Sequence, residues 1–162
     1  MMRLISRGID SAAQFLVVVF FGILLVIGAA QVLTRFAGFP LDWSEELLKF
    51  THVWLVFLAI PIAYDRGSHI CVDLVVAHVP PPWQSVFAVV IDLLWLALAV
   101  AFIYYTWVIM GVTRRQTSAG LLIRMDLVYF GIVIGMGYLF MCAIRKLLCR
   151  FAGFFKNKED VQ

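Results

Sequence analysis

Charge is scarce in this sequence. Only 14% of its 162 residues are Asp, Glu, Lys or Arg, against about a quarter in a typical soluble domain. With 64% hydrophobic residues and a mean hydropathy of +0.98, that deficit excludes an ordinary water-soluble globule and places the chain in the membrane class. Other chemistry is missing too. None of the three cysteines (Cys71, Cys142, Cys149) forms C-x-x-C, and all lie at or near one predicted membrane face. Neither thiol–disulfide exchange nor a structural disulfide is expected. Only three histidines occur (His52, His69, His78), and three of the four apolar runs contain none. Bis-histidine haem, which needs ligands at similar depth on facing helices, is therefore disfavoured. His69, Cys71, Asp73 and His78 lack the tight four-ligand spacing of a zinc site. There is no defensible Ser-His-Asp set, and no basic run with interleaved aromatics that would suggest nucleic acid. No enzyme, metal or cofactor is expected.

What is present is apolar length. Ser11–Thr34 runs 24 residues without a charge, Phe50–Tyr64 runs 15, Leu93–Thr113 runs 21 and Leu127–Ile144 runs 18. A spanning helix needs about 20 residues at roughly 1.5 Å each. The second run spans only if it begins near Glu45 or Glu46, which puts Glu45, Lys49 and His52 in its first two turns. The expected fold is an all-α integral membrane domain covering residues 1–162, with spans near 11–34, 45–64, 83–112 and 126–145. A cleaved leader is not expected at the N-terminus, because the first apolar run exceeds a signal peptide's h-region and further spans follow. No lipidation signal is evident.

With the N-terminus inside, Arg3, Arg7, Arg66, Arg145, Lys146, Arg150, Lys156 and Lys158 fall inside, eight against the five outside (Arg35, Lys49, Arg114, Arg115, Arg124). The positive-inside rule then predicts both termini in the cytoplasm, with 151–162 as a cytoplasmic tail. Gly38-Phe39-Pro40 supplies a turn, Asp42 or Ser44 offers an N-cap for the second helix, and Pro61 should kink it. Residues 66–79 are too polar to span and too apolar for a free loop. A short interfacial amphipathic helix between spans two and three is the expectation there, stopped by Pro80-Pro81-Pro82 and followed by Trp83 as an interfacial anchor.

The candidate functional residues lie at span ends. Glu45, Lys49 and His52 share one helix face at i, i+4, i+7. That face is either a solvated helix start or a surface docked on polar groups of another membrane subunit. Asp92 is the one acid with apolar sequence on both sides, and its reading is a partner-facing or protonated structural carboxyl. His69 and Asp73 are i, i+4 and can hydrogen-bond each other. Gly131 and Gly135 form G-x-x-x-G, with Gly137 following: a close helix approach or ordinary glycine tolerance in a span.

Trp43-Ser-Glu-Glu46, then Trp54-Leu-Val-Phe57, then Gly67-Ser-His-Ile-Cys-Val-Asp73 together resemble the small, DctQ-like membrane subunit of tripartite ATP-independent periplasmic (TRAP) transporters. The carrying residues are Trp43, Glu45, Glu46, Trp54, Phe57, His69, Ile70, Val72 and Asp73. Ala59–Pro61 departs from the glycine-containing stretch common in relatives. The resemblance covers nearly the whole chain to about Arg150. It implies a bacterial inner-membrane protein that braces a large (M-type) subunit during ion-gradient-driven uptake of small organic acids delivered by a periplasmic binding protein. The expected contacts with that subunit are Trp43, Glu45, Glu46, Lys49, His52, Trp54, Asp92 and the His69–Asp73 pair. Two rival readings are a membrane anchor for a redox or other enzyme complex and a small self-assembling exporter coupled through Asp92.

Overall fold

The computed structural model describes residues 2–39, 41–66 and 81–159. Four helices make up nearly all of it: α1 (Met2–Phe36), α2 (Asp42–Asp65), α3 (Pro81–Thr113) and α4 (Met125–Glu159). Each contains a stretch long and apolar enough to cross a bilayer: Asp10–Phe36, Asp42–Asp65, Val86–Thr113 and Met125–Arg150. Helices satisfy their own backbone groups, which lipid cannot do. The expected interfacial helix at 66–79 lies outside the described residues except for Arg66.

The helices outrun the uncharged sequence. α2 starts at Asp42, so Glu45, Lys49 and His52 fall within its first three turns. Its N-cap residue is Leu41, with no side-chain cap, rather than Asp42 or Ser44. Ser44 sits buried inside the first turn, where its hydroxyl donates to the Leu41 carbonyl at 2.6 Å. Pro61 is buried within α2, which remains helical to Asp65. α4 continues as helix through most of the expected tail, to Glu159. Before it does so, its basic residues are tied to neighbouring helices.

The α1–α2 turn follows from one glycine. Gly38 adopts φ +82°, open to glycine at no steric cost. This lets Phe39 N–H reach the Thr34 carbonyl (3.0 Å) and Gly38 N–H that of Arg35 (3.2 Å), the Schellman pairing that ends a helix.

Backbone neighbours run in the order α1, α2, α4, α3. The buried core forms where α2, α3 and α4 meet: Tyr64, Ala99, Met136, Leu139, Cys142 and Ala143, flanked by Phe57, Trp95 and Ile103. Glycine sets the α2–α4 approach. A Cβ on Gly135 would stand 2.2 Å from the Phe57 carbonyl oxygen, and one on Gly131 2.6 Å from the Trp54 ring, whereas one on Gly137 would meet nothing within 4 Å. Gly131 and Gly135 thus lie on the face that touches α2. Trp54 is held between Gly131 and Phe20 of α1, its ring centroid 6.1 Å from that of Phe20.

Candidate functional site: two polar ends and a free helix face

α1 and α3 begin, and α2 and α4 finish, at one end of the bundle, termed basal. The opposite end is apical. The two are built differently.

At the apical end the neighbouring acids Glu45 and Glu46 part company, because successive helical residues point about 100° apart. Glu46 turns inward. One of its carboxylate oxygens accepts hydrogen bonds from the Ser118 hydroxyl and from the backbone N–H groups of Gly120 (2.9 Å) and Leu121 (3.0 Å). Ser118 is only 1% exposed. The α3–α4 connection is a small closed loop, with a bridge between Thr117 and Arg124 and a Ser118 N–H bond to the Ile123 carbonyl. Leu122 at its tip has φ +53°, and a Cβ on Gly120 would press on Glu46 at 3.0 Å. Glu46 therefore acts as the loop's anionic anchor, through charge-assisted hydrogen bonds. Glu46→Ala should destabilise the loop, chiefly by stranding the buried Ser118 hydroxyl. Glu46→Gln, which keeps an oxygen acceptor, should cost less. Thermal unfolding in micelles and hydrogen exchange at 117–124 measure both.

Glu45 turns outward and is exposed, as are Trp43, Lys49 and His52. Among the described residues the ion pairs are Arg124–Asp126, Arg145–Asp65 and Arg150–Asp92. The i, i+4 pair Glu45–Lys49 is not among them. Glu45 lines, with Gln31, Arg35, Leu41 and Asp42, a crevice of about 530 Å³ between the end of α1 and the start of α2.

The basal end is closed by α4. Its Arg145 donates to Asp65 of α2, and Lys146 donates to the Tyr64 carbonyl in the last α2 turn. The Lys146 ammonium also lies 4.3 Å from the Tyr64 ring centre. Tyr138 donates to Asp10 of α1. Asp92 of α3 is 4% exposed. Its Oδ1 accepts from the Tyr64 hydroxyl at 2.7 Å, and its Oδ2 lies 2.8 Å from Arg150 Nε, a contact ion pair without an aligned hydrogen bond. One helix therefore holds a polar group from each of the other three.

The sequence-derived candidates separate accordingly. Glu46, Trp54 and Asp92 have partners inside the chain, whereas Trp43, Glu45, Lys49 and His52 face outward. His69 and Asp73 lie outside the described residues. The basal network is not legible in the sequence, where Arg145, Lys146 and Arg150 serve only as topology signals. The available clue was an acid at the basal end of each of three spans (Asp10, Asp65, Asp92) and a cluster of bases at the same end of the fourth, of which Arg145 and Arg150 pair with Asp65 and Asp92.

Four bilayer-length helices, with polar groups gathered at their ends, define a multi-pass membrane protein. Its family is equally clear. The profile described as "Tripartite ATP-independent periplasmic transporters, DctQ component" matches residues 24–153, and the chain belongs to that family. It is similar to the isethionate TRAP transporter permease protein DctMQ of Oleidesulfovibrio alaskensis, 28% identical over 82% of this chain and 22% of that protein. It is also similar to a putative TRAP transporter small permease protein of Haemophilus influenzae, 24% identical over 83% of this chain and 84% of that one. A third relative is the C4-dicarboxylate TRAP transporter small permease protein DctQ of Vibrio cholerae, 25% identical over 60% of this chain and 43% of that one. The chain thus spans about a fifth of the first of these relatives and less than half of the third.

Proposed function

We propose that this chain is the small permease subunit of a TRAP-type secondary transporter of the bacterial inner membrane, with both termini cytoplasmic. In this reading it braces a large transport subunit while an ion gradient drives uptake of small organic acids delivered by a periplasmic binding protein. The observation that carries it is the division of polar groups. Asp10, Asp65, Asp92, Glu46 and their partners are engaged in holding four helices and one loop together. A chain built this way suits a rigid brace better than a conduit. Similarity to a fifth of a longer TRAP permease supports the same view, since that protein joins a region like this one to a much larger remainder. Contact with the large subunit falls to Trp43, Glu45, Lys49 and His52, and to His69 and Asp73. Glu46, Trp54 and Asp92 serve the fold that presents them.

Solubilising native membranes in mild detergent and identifying the co-purifying proteins tests this directly. A stoichiometric large polytopic partner is expected; a haem-bearing partner, or none, overturns the reading. Glu45→Ala should lower recovery of that partner and solute uptake together, severalfold, without moving the chain's own melting temperature.

A further inference from the structure

One face of α2 is open from end to end, bordering the α1 crevice only at Glu45. Glu45, Lys49, His52, Val56, Ala59 and Ala63 fall within about 40° of one line at 100° per residue. Glu45, Lys49, His52 and Ala63 are exposed, and Val56 and Ala59 half-exposed. The opposite line (Glu46, Trp54, Phe57, Leu58, Pro61, Tyr64) carries the loop anchor and the contacts to α1, α3 and α4.

Depth decides what can cover the free face. The 24 residues of α2 measure about 36 Å by helical rise, against a hydrocarbon core of about 30 Å. Centred in the bilayer, the helix places Lys49 roughly 7 Å and His52 roughly 12 Å inside the core. Lys49 has the stem to snorkel outward; the short His52 side chain has not. Polar groups at that depth face protein or water rather than acyl chains. Two turns further, Ala59 and Ala63 stand at the small-xxx-small spacing that admits a second helix backbone.

Resting on the small-subunit reading above, we infer that this face is the intramembrane seam for one transmembrane helix of the large permease subunit, and that this helix carries a carboxylate level with Lys49 and His52. Lys49 and His52 have no acid within ion-pair distance among the described residues, so charge complementarity asks for one from outside. A second parallel copy of the chain is the poorer occupant. It would set Lys49 beside Lys49 and His52 beside His52 in a low-dielectric layer, with only a one-turn offset to Glu45 in compensation.

The test is photocrosslinking in membranes that co-produce the whole transporter. A photoreactive residue is placed at His52 or Ala63, and at Val18 of α1 and Val108 of α3 as controls on other exposed faces. Adducts with the large subunit at least tenfold stronger from His52 and Ala63 than from the controls are expected. Ala63→Leu, at an exposed position, should leave the purified chain's melting temperature unchanged while lowering co-purified large subunit at least tenfold. Lys49→Glu should lower it similarly. Adducts mainly from Val18 or Val108, or between two copies of this chain, would overturn the seam while leaving the small-subunit role intact. If wild-type chain captures no large subunit, the functional reading itself fails and the seam with it.

Discussion

Gly135→Ala should loosen the bundle by about 2–3 kcal/mol, towards the upper part of the usual cost of over-packing. The added methyl would meet the Phe57 carbonyl oxygen at 2.2 Å. Backbone cannot rotate aside as a side chain can, so α4 must move away from α2. That movement would also disturb the core around Tyr64, Met136 and Leu139, which the two helices share with α3. Gly131→Ala should cost less, because its obstacle is the Trp54 ring, although Phe20 behind that ring limits its retreat. Gly137→Ala should be neutral or slightly stabilising, since nothing lies within 4 Å and alanine is the better helix former. Unfolding titrations in mixed micelles would rank the three. Equal effects at Gly135 and Gly137 would show that close approach is not what Gly135 provides.

Arg150→Ala should destabilise the chain more than Asp92→Asn. The reason is asymmetric burial. Asp92 is 4% exposed, so removing its cation strands a carboxylate in a dry site. Breaking a buried pair from one side costs about 3–5 kcal/mol, and the lower figure suits this pair because the Arg150 side chain is 45% exposed. Asp92→Asn removes the charge but keeps an oxygen for the Tyr64 hydroxyl, while Arg150 can turn to water or lipid headgroups. The double variant should recover much of the single Arg150→Ala loss, a coupling that a double-mutant cycle measures. Additive costs would mean that the two side chains do not act as a pair.

Of the two polar ends, the apical one was half legible from sequence. The i, i+4, i+7 spacing put Glu45, Lys49 and His52 on one face, and the helix does present them together. Pattern could not separate Glu46 from Glu45, because an acidic pair looks alike until something approaches one of its members. That approach comes from Ser118, Gly120 and Leu121, more than 70 residues away. The basal network was hidden for the same reason. Lys and Arg beyond a span inform about topology through number alone, whereas pairing depends on which helices become neighbours.

Hydrophobic length and charge scarcity by themselves determined the membrane class and four helical segments, three of bilayer length unaided and the second only with its charged start, because backbone in lipid must close its hydrogen bonds within each helix. The Trp43–Glu46, Trp54–Phe57 and His69–Asp73 segments determined the family. Tertiary structure alone decided that α2 and α4 occupy the middle of the bundle, that Asp92 is answered by Tyr64 and Arg150, and that one face of α2 is left open. Lipid is as apolar as the side chains it surrounds, so hydrophobicity does not say which helices pair. Glycine clearance and the matching of a few buried charges make that choice, and both depend on three-dimensional proximity.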